Sequence, residues 1–261
     1  MAGNIGLTDK QQEAYETLKK RKNDPTAKAL TANMEEELAG YEYKLANPEL
    51  PQGAKTYCKK WLKIHNWKRE EEIKSKYIRK GILTEEDGFT LLCVQLKLGM
   101  VFKNEQYREN EYSTGTWDLL VGDTVYDNKS SWSLETFPMY DTINPKPEYE
   151  WQMQVYMGLA GVEKAVLAYT LIDAPEIEIQ KEIRWMDTDE ERIKKLNNMI
   201  FSSTEYFEAM RSKYAPSVNL NFVEIPAEKR IKTFSFFKDN LVHYRIKERV
   251  KMCNLYINSL I

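Results

Sequence analysis

Trp117-Asp118-Leu119-Leu120-Val121-Gly122-Asp123-Thr124-Val125-Tyr126-Asp127-Asn128-Lys129 is the stretch that decides how this chain is read. Apolar and β-branched residues lead into Gly122-Asp123 and out of it again, the pattern of a β-hairpin with a two-residue loop. Such a loop pairs positions whose numbers sum to 245, which sets Asp118 opposite Asp127. Side chains so paired share a face and stand about 5 Å apart. Two carboxylates that close repel unless a cation or a shared proton intervenes. Lys129 follows Asp127 by two residues, so strand periodicity turns it to the same face. Two carboxylates and a lysine aimed at one spot suggest a divalent-metal hydrolysis site.

Magnesium takes oxygen ligands in octahedral geometry and keeps several waters, so two or three carboxylates suffice. Asp118 and Asp127 supply two, and the Asn128 backbone carbonyl is a candidate third oxygen. A lysine ammonium beside them orients an attacking water and stabilises charge building on a phosphoryl oxygen. The metal polarises the phosphate. Metal-assisted phosphodiester hydrolysis is the reaction class these groups fit. An isolated Asp-x-Lys is more often a surface strand with a salt bridge; the aspartate pair across the hairpin distinguishes this one.

Working outward, residues 9–22 and 33–45 are polar and helical in pattern, and Asn47–Gly53, with Pro48 and Pro51, reads as a linker. The expected organisation is an N-terminal helical arm and linker over 1–53 and a catalytic domain over 54–261. Residues 54–80 read as one helix, and Thr84 as the N-cap of a helix opening on Glu85 and Glu86. Strands are expected within 100–112, 115–121, 124–132, 165–172 and 230–237, with a weaker one over 178–185. Helices are expected over 148–159, 187–213 and 240–259, the second opened by a Thr188/Glu191 capping box. Alternating strands and helices give an α/β (mixed α+β) class, a central mixed β-sheet flanked by helices.

Composition sets outer limits. Hydrophobic residues at 42% allow a sizeable core, and 30% charged residues with no run of 18 apolar positions argue for a soluble chain without a membrane span. The first eight residues lack a basic region followed by an apolar one, so a cytoplasmic location is expected. Cys58, Cys93 and Cys253 are too scattered for a disulfide framework or a zinc site. Net charge is only -2, yet Lys55, Lys59, Lys60, Lys63, Lys68, Arg69, Lys74, Lys76, Arg79 and Lys80 face only Glu70, Glu71 and Glu72. That cluster is either a solvated helical face or a phosphate-binding surface, and its place just before the hairpin favours the second. His65 and His243 are isolated. No nucleophilic triad, phosphate-binding glycine loop or nicotinamide fingerprint is present.

Two further motifs frame the hairpin: Gly81-x-x-x-Glu85 at a helix start, and Gln152-x-x-x-Tyr156, whose members share a helix face. In order, Gly-x-x-x-Glu, Gly115-x-x-Asp118, Asp127-x-Lys129 and Gln-x-x-x-Tyr resemble the PD-(D/E)XK nuclease superfamily, and within it the RecB-like and lambda-exonuclease-like branch of phage-type exonucleases. The resemblance covers residues 80–156. It implies a restriction-endonuclease-like core, with Mg²⁺ or Mn²⁺ held by Glu85, Asp118 and Asp127. It also implies Lys129 as the catalytic lysine, with Gln152 and Tyr156 supporting the site and the DNA backbone. Trp117 stands where the motif's proline would be, and the second carboxylate is Asp rather than the commoner Glu. Three dispersed cysteines rule out the four-cysteine iron–sulfur cluster of some RecB-like relatives.

The expected function is therefore a Mg²⁺-dependent deoxyribonuclease, an exonuclease on linear DNA ends of the kind phages use in recombination. A structure-selective or nicking endonuclease on the same fold is the alternative within the class. A catalytically inactive DNA-binding module is the alternative outside it. Lys59, Lys63, Lys76, Arg79 and Lys80 are the candidate DNA contacts. Ser130 could hold a phosphate oxygen and Trp132 could stack on a base, though core packing or ordinary edge polarity is the stronger reading of both. DNA is the expected partner, with a recombination protein and homo-oligomerisation through the arm as further expectations.

Overall fold

The structure, a computed structural model, describes residues 6–72 and 75–261; Lys74 of the basic cluster and residues 1–5 lie outside it. The chain divides into two compact units, Met1–Glu71 with Asp239–Ile261, and Glu72–Lys238. The boundary expected after residue 53 falls inside the first unit.

That unit is helical: α1 (Asp9–Asn23), α2 (Ala32–Ala46), α3 (Gln52–Trp67) and, from the chain's far end, α10 (Asn240–Asn258). Helix α1 begins on a reciprocal cap in which Thr8 and Gln11 bond each other's backbone amides. Leu38, Ala54 and Cys58 are buried, and α3 packs on α10. The expected helix 54–80 is interrupted, because Lys68 caps α3 in the left-handed conformation (φ 52°).

The second unit opens with α4 (Lys76–Leu83) and α5 (Glu85–Gln95). Short strands β1 (Arg108–Glu109) and β2 (Thr114–Gly115) pair with each other, so little of the strand expected over 100–112 forms. The main sheet holds β3 (Leu119–Val121), β4 (Thr124–Ser130), β5 (Lys164–Thr170) and β6 (Ile231–Phe237), in that spatial order. β3/β4 and β5/β6 are antiparallel, and β4/β5 is parallel. Parallel neighbours need a crossover, which α6 (Pro147–Ala160) supplies. The α6 face of the sheet buries Val125, Leu167, Met153 and Met157, and the α5 face buries Leu92, Leu119 and Ala168.

Two expectations fail here for tertiary reasons. Residues 176–183 form helix α7 (Glu176–Ile183), not a strand. The alternating Glu176-Ile-Glu-Ile misleads, for Ile177 is exposed while Ile179 and Ile183, four apart, are buried. The long helix expected over 187–213 is split into α8 (Asp189–Asn197) and α9 (Thr204–Tyr214). The Asp173 carboxylate accepts from the Phe201 and Ser202 amides at 2.6 and 2.9 Å, diverting both from a helical ladder. The Thr188/Glu191 capping box does open α8. No helix among the described residues is long and apolar enough to cross a membrane.

Candidate active site

The hairpin takes the register its loop length dictates: Leu119 opposes Tyr126, Leu120 opposes Val125 and Val121 opposes Thr124. Gly122 turns the chain at φ 59°, where an L side chain is strained. One step further, the Asp118 amide donates to the Tyr126 carbonyl at 3.2 Å, and Asp118 Oδ2 accepts from the Asn128 amide at 2.6 Å. Asp127 and Lys129 share the α6-facing side of β4 with buried Val125. Asp127 is 3% exposed, and its Oδ2 lies 2.5 Å from Lys129 Nζ. The Lys129 ammonium meets this buried oxygen in an ion pair, and no other hydrogen-bond partner reaches it among the described residues.

Burial, more than any other cause, makes both carboxyls weak acids. It pushes Asp127 to about 6, with the Asp118 and Glu85 charges adding and Lys129 opposing. Asp118 is also raised by burial, against the Asn128 amide and Lys129. Burial is the largest single influence on the Lys129 ammonium and lowers it, but the charge and hydrogen bond of Asp127, with Tyr156 and Asp118, together make the net shift upward. Lys129 therefore stays a cation near neutral pH. Two neighbouring carboxylates whose ionised forms are disfavoured by burial fit a divalent cation.

Glu85 begins α5 on the same side of the unit, exposed and ion-paired to Lys103 at 2.6 Å. Among the described residues no three His, Cys, Asp or Glu side chains gather closely enough to hold a metal. Glu85 acts on the aspartates through its charge instead. Thr84 is the N-cap residue of α5, but its hydroxyl donates to the Lys80 carbonyl at 2.8 Å and contacts Ser130 Oγ at 2.8 Å. Behind the aspartates, α5 touches β4 at Gly88. A Cβ there would lie 2.5 Å from Asn128 Nδ2 and 2.9 Å from Thr170 Oγ1, two atoms of the pair that joins β4 to β5. Gly88→Ala is expected to cost about 1–3 kcal/mol in denaturant titrations, by forcing α5 off the sheet. An interior helix glycine was the signal for this contact in the sequence.

On α6, Gln152 Nε2 donates to Tyr156 Oη at 2.6 Å, the one-turn pair the spacing predicts. Tyr156 is buried edge-on to Trp117, ring centroids 6.3 Å apart. Gly115 makes room for it, since a Cβ there would fall 2.6 Å from the tyrosine ring. Gln154, two residues on from Gln152, donates to the Phe237 carbonyl at 2.8 Å and so ties α6 to β6. Lys129 lies over the Tyr149 ring at 5.2 Å, a neighbour the sequence reading did not single out.

A cleft of about 600 Å³ opens beside Lys129, walled by Glu85, Ser130, Trp132, Lys146 and Tyr149, with Tyr77 and Ile82 at its exposed side. Ser130 and Trp132 border it. Three of the expected DNA contacts are engaged within the protein, Arg79 and Lys76 part-exposed and Lys80 buried. Arg79 holds the fully buried Glu178 with two bonds of 3.1 Å. Lys76 is paired with Glu182 at 3.1 Å and lies over the Trp132 ring at 4.8 Å. Lys80 is 1% exposed and donates to the Ser131 and Trp132 carbonyls, each at 2.9 Å. Their partners lie 51 to 106 residues along the chain, beyond the reach of local charge counting. Lys59 and Lys63, on α3, are exposed.

No protein-family model matches the sequence, and no curated protein matches it. Among solved structures, a phage-related exonuclease from Haemophilus somnus 129PT is similar over 94% of this chain and 93% of that one, with a TM-score of 0.61 and 24% identity. An alkaline exonuclease from Laribacter hongkongensis is similar over 80% of this chain and 81% of that one, with a TM-score of 0.51 and 13% identity. The mixed sheet, its flanking helices and the hairpin that carries Asp118, Asp127 and Lys129 are therefore built on the fold of the phage-related and alkaline exonucleases.

Proposed function

We propose that this chain is a Mg²⁺- or Mn²⁺-dependent deoxyribonuclease that removes nucleotides from the ends of linear DNA. The observation that carries the reading is the buried Asp127 carboxylate, ion-paired to Lys129 and held beside Asp118. Asp118, Asp127 and the Asn128 carbonyl would hold the ion, and Glu85 adds negative charge at the cleft. The bound ion supplies a Lewis acid for a phosphoryl oxygen. Lys129, kept protonated by Asp127, donates to the phosphate and orients the attacking water rather than acting as a base. Gln152 and Tyr156 support the floor of the site through their mutual bond, and Gly115 fixes where Tyr156 stands. Ser130 offers a hydroxyl at the cleft wall for a second phosphate oxygen.

Fold similarity to two exonucleases supports action at ends, and a place in phage-type recombination is part of the same proposal. The test is release of acid-soluble nucleotides from linear duplex DNA with and without Mg²⁺, set beside covalently closed circles. Mg²⁺-dependent release from linear DNA alone is expected. Nicked or linearised circles would make the enzyme an endonuclease, and no release from either substrate would sink the reading.

A further inference from the structure

Helix α3 has an outward face that its own packing leaves unused. Ala54 and Cys58 form its buried side, where the Cys58 thiol is hydrogen-bonded to Cys253 of α10. Spaced by three and four residues, Tyr57, Lys60, Trp61, Ile64, His65 and Lys68 follow one another along a different side and, with Glu70, line a groove of about 490 Å³. Tyr57 is 53% exposed and Trp61 40%. The Trp61 and His65 rings stack with centroids 4.7 Å apart and planes at 11°, an aromatic platform at the surface.

The charge on this helix has one sign. Gln52–Trp67 contains Lys55, Lys59, Lys60 and Lys63 and no acidic residue. Lys55 reaches Glu49 at 3.5 Å. Among the described residues no carboxylate pairs with Lys60 or Lys68, the two lysines of the groove, whereas Lys76 and Arg79 of α4 are both ion-paired inside their own unit. Unpaired lysines on the same face as exposed rings match a backbone of phosphates carrying unstacked bases. A duplex buries its base faces and would leave the rings without a partner.

We propose that this face of α3 binds single-stranded DNA, with Tyr57 and Trp61 stacking on bases and Lys60 and Lys68 meeting phosphates. The choice of DNA rests on the nuclease reading; the single-stranded form rests on the rings. Fluorescence anisotropy of labelled dT20 in EDTA, where no cleavage occurs, tests it against a 20-base-pair duplex of the same label. Wild type is expected to bind dT20 more tightly than the duplex. Trp61→Ala and Tyr57→Ala should each weaken dT20 by about tenfold and the duplex by less than twofold. Lys60→Gln/Lys68→Gln should weaken both and flatten the salt dependence. Ring variants that bind dT20 as wild type does would overturn the proposal, whether the lysine pair matters, leaving a plain phosphate surface, or nothing matters, leaving the face to a protein partner. A chain that binds dT20 through these rings yet releases no nucleotides from DNA sinks the nuclease reading alone.

Discussion

Asp127→Asn is expected to lower Mg²⁺-dependent nucleotide release from linear DNA by about 10³-fold or more while leaving the melting temperature at neutral pH within a few degrees of wild type. Asparagine keeps the shape of the side chain and removes its charge, so the change isolates electrostatics from packing. In the folded chain that charge is already disfavoured, because burial and the neighbouring Asp118 raise its pKa to about 6. Neutralising it relieves repulsion, which offsets the loss of the ion pair with Lys129. A purely structural aspartate would behave the other way, with stability falling and any activity following it. Lys129→Met should cost about 10²–10³-fold, since it removes a donor aimed at the phosphate and leaves both carboxylates in place. Isothermal titration with Mn²⁺ separates the two roles: Asp127→Asn should abolish binding, and Lys129→Met should retain it. If both variants release nucleotides at the wild-type rate, the assignment of this hairpin is wrong.

The hairpin was legible because its geometry is local. A two-residue loop admits one register, and Gly122 permits the backbone that loop requires, so the pairing of Leu119, Leu120 and Val121 with Tyr126, Val125 and Thr124 follows from counting. The Gln152–Tyr156 bond is legible for the same reason, one helical turn separating its partners. What counting could not reach was every feature fixed by distant partners. Seen locally, the basic run before the hairpin is a uniform strip of charge. In three dimensions it divides: Arg79 and Lys76 are taken up by Glu178 and Glu182, while Lys59 and Lys63 stay exposed on α3. Glu178 was itself misassigned to a strand, and its burial beneath Arg79 and Lys181 explains why a charged residue could occupy an inward helical position. The break between α8 and α9 has a similar origin, in an Asp173 carboxylate 28 residues upstream of the amide it captures. Glu85 was correctly placed at a helix start, yet its nearest cation, Lys103, comes from a segment with little regular structure of its own.

Lys80→Ala is expected to lose about 3–5 kcal/mol of stability at pH 7.5 in urea titration, and Lys80→Met much less. The lysine is buried with no carboxylate in ion-pair contact among the described residues; the Phe201 ring lies 5.3 Å from its ammonium and the Trp132 ring 5.8 Å. Its two bonds pin the Ser131 and Trp132 carbonyls, the residues that carry the chain out of β4 and along the cleft wall. Alanine removes the donors and opens a cavity. Methionine fills the space and removes only the donors, at the same time relieving the cost of burying an ammonium. That cost is visible in the ammonium's pKa, which burial lowers to about 8 despite the opposing charge of Asp173. The sign of the pH dependence follows. Between about 8 and 10.5 the unfolded chain binds the proton and the folded chain does not, so raising pH through that window favours folding. Wild type should therefore gain on Lys80→Met by roughly 3 kcal/mol from pH 7.5 to pH 10.5, an order-of-magnitude figure from the size of the shift. A constant difference between the two across that range would mean that Lys80 reaches solvent in the folded chain. In that case the exit of β4 would be unpinned, and the position of Trp132 over the cleft would need another cause.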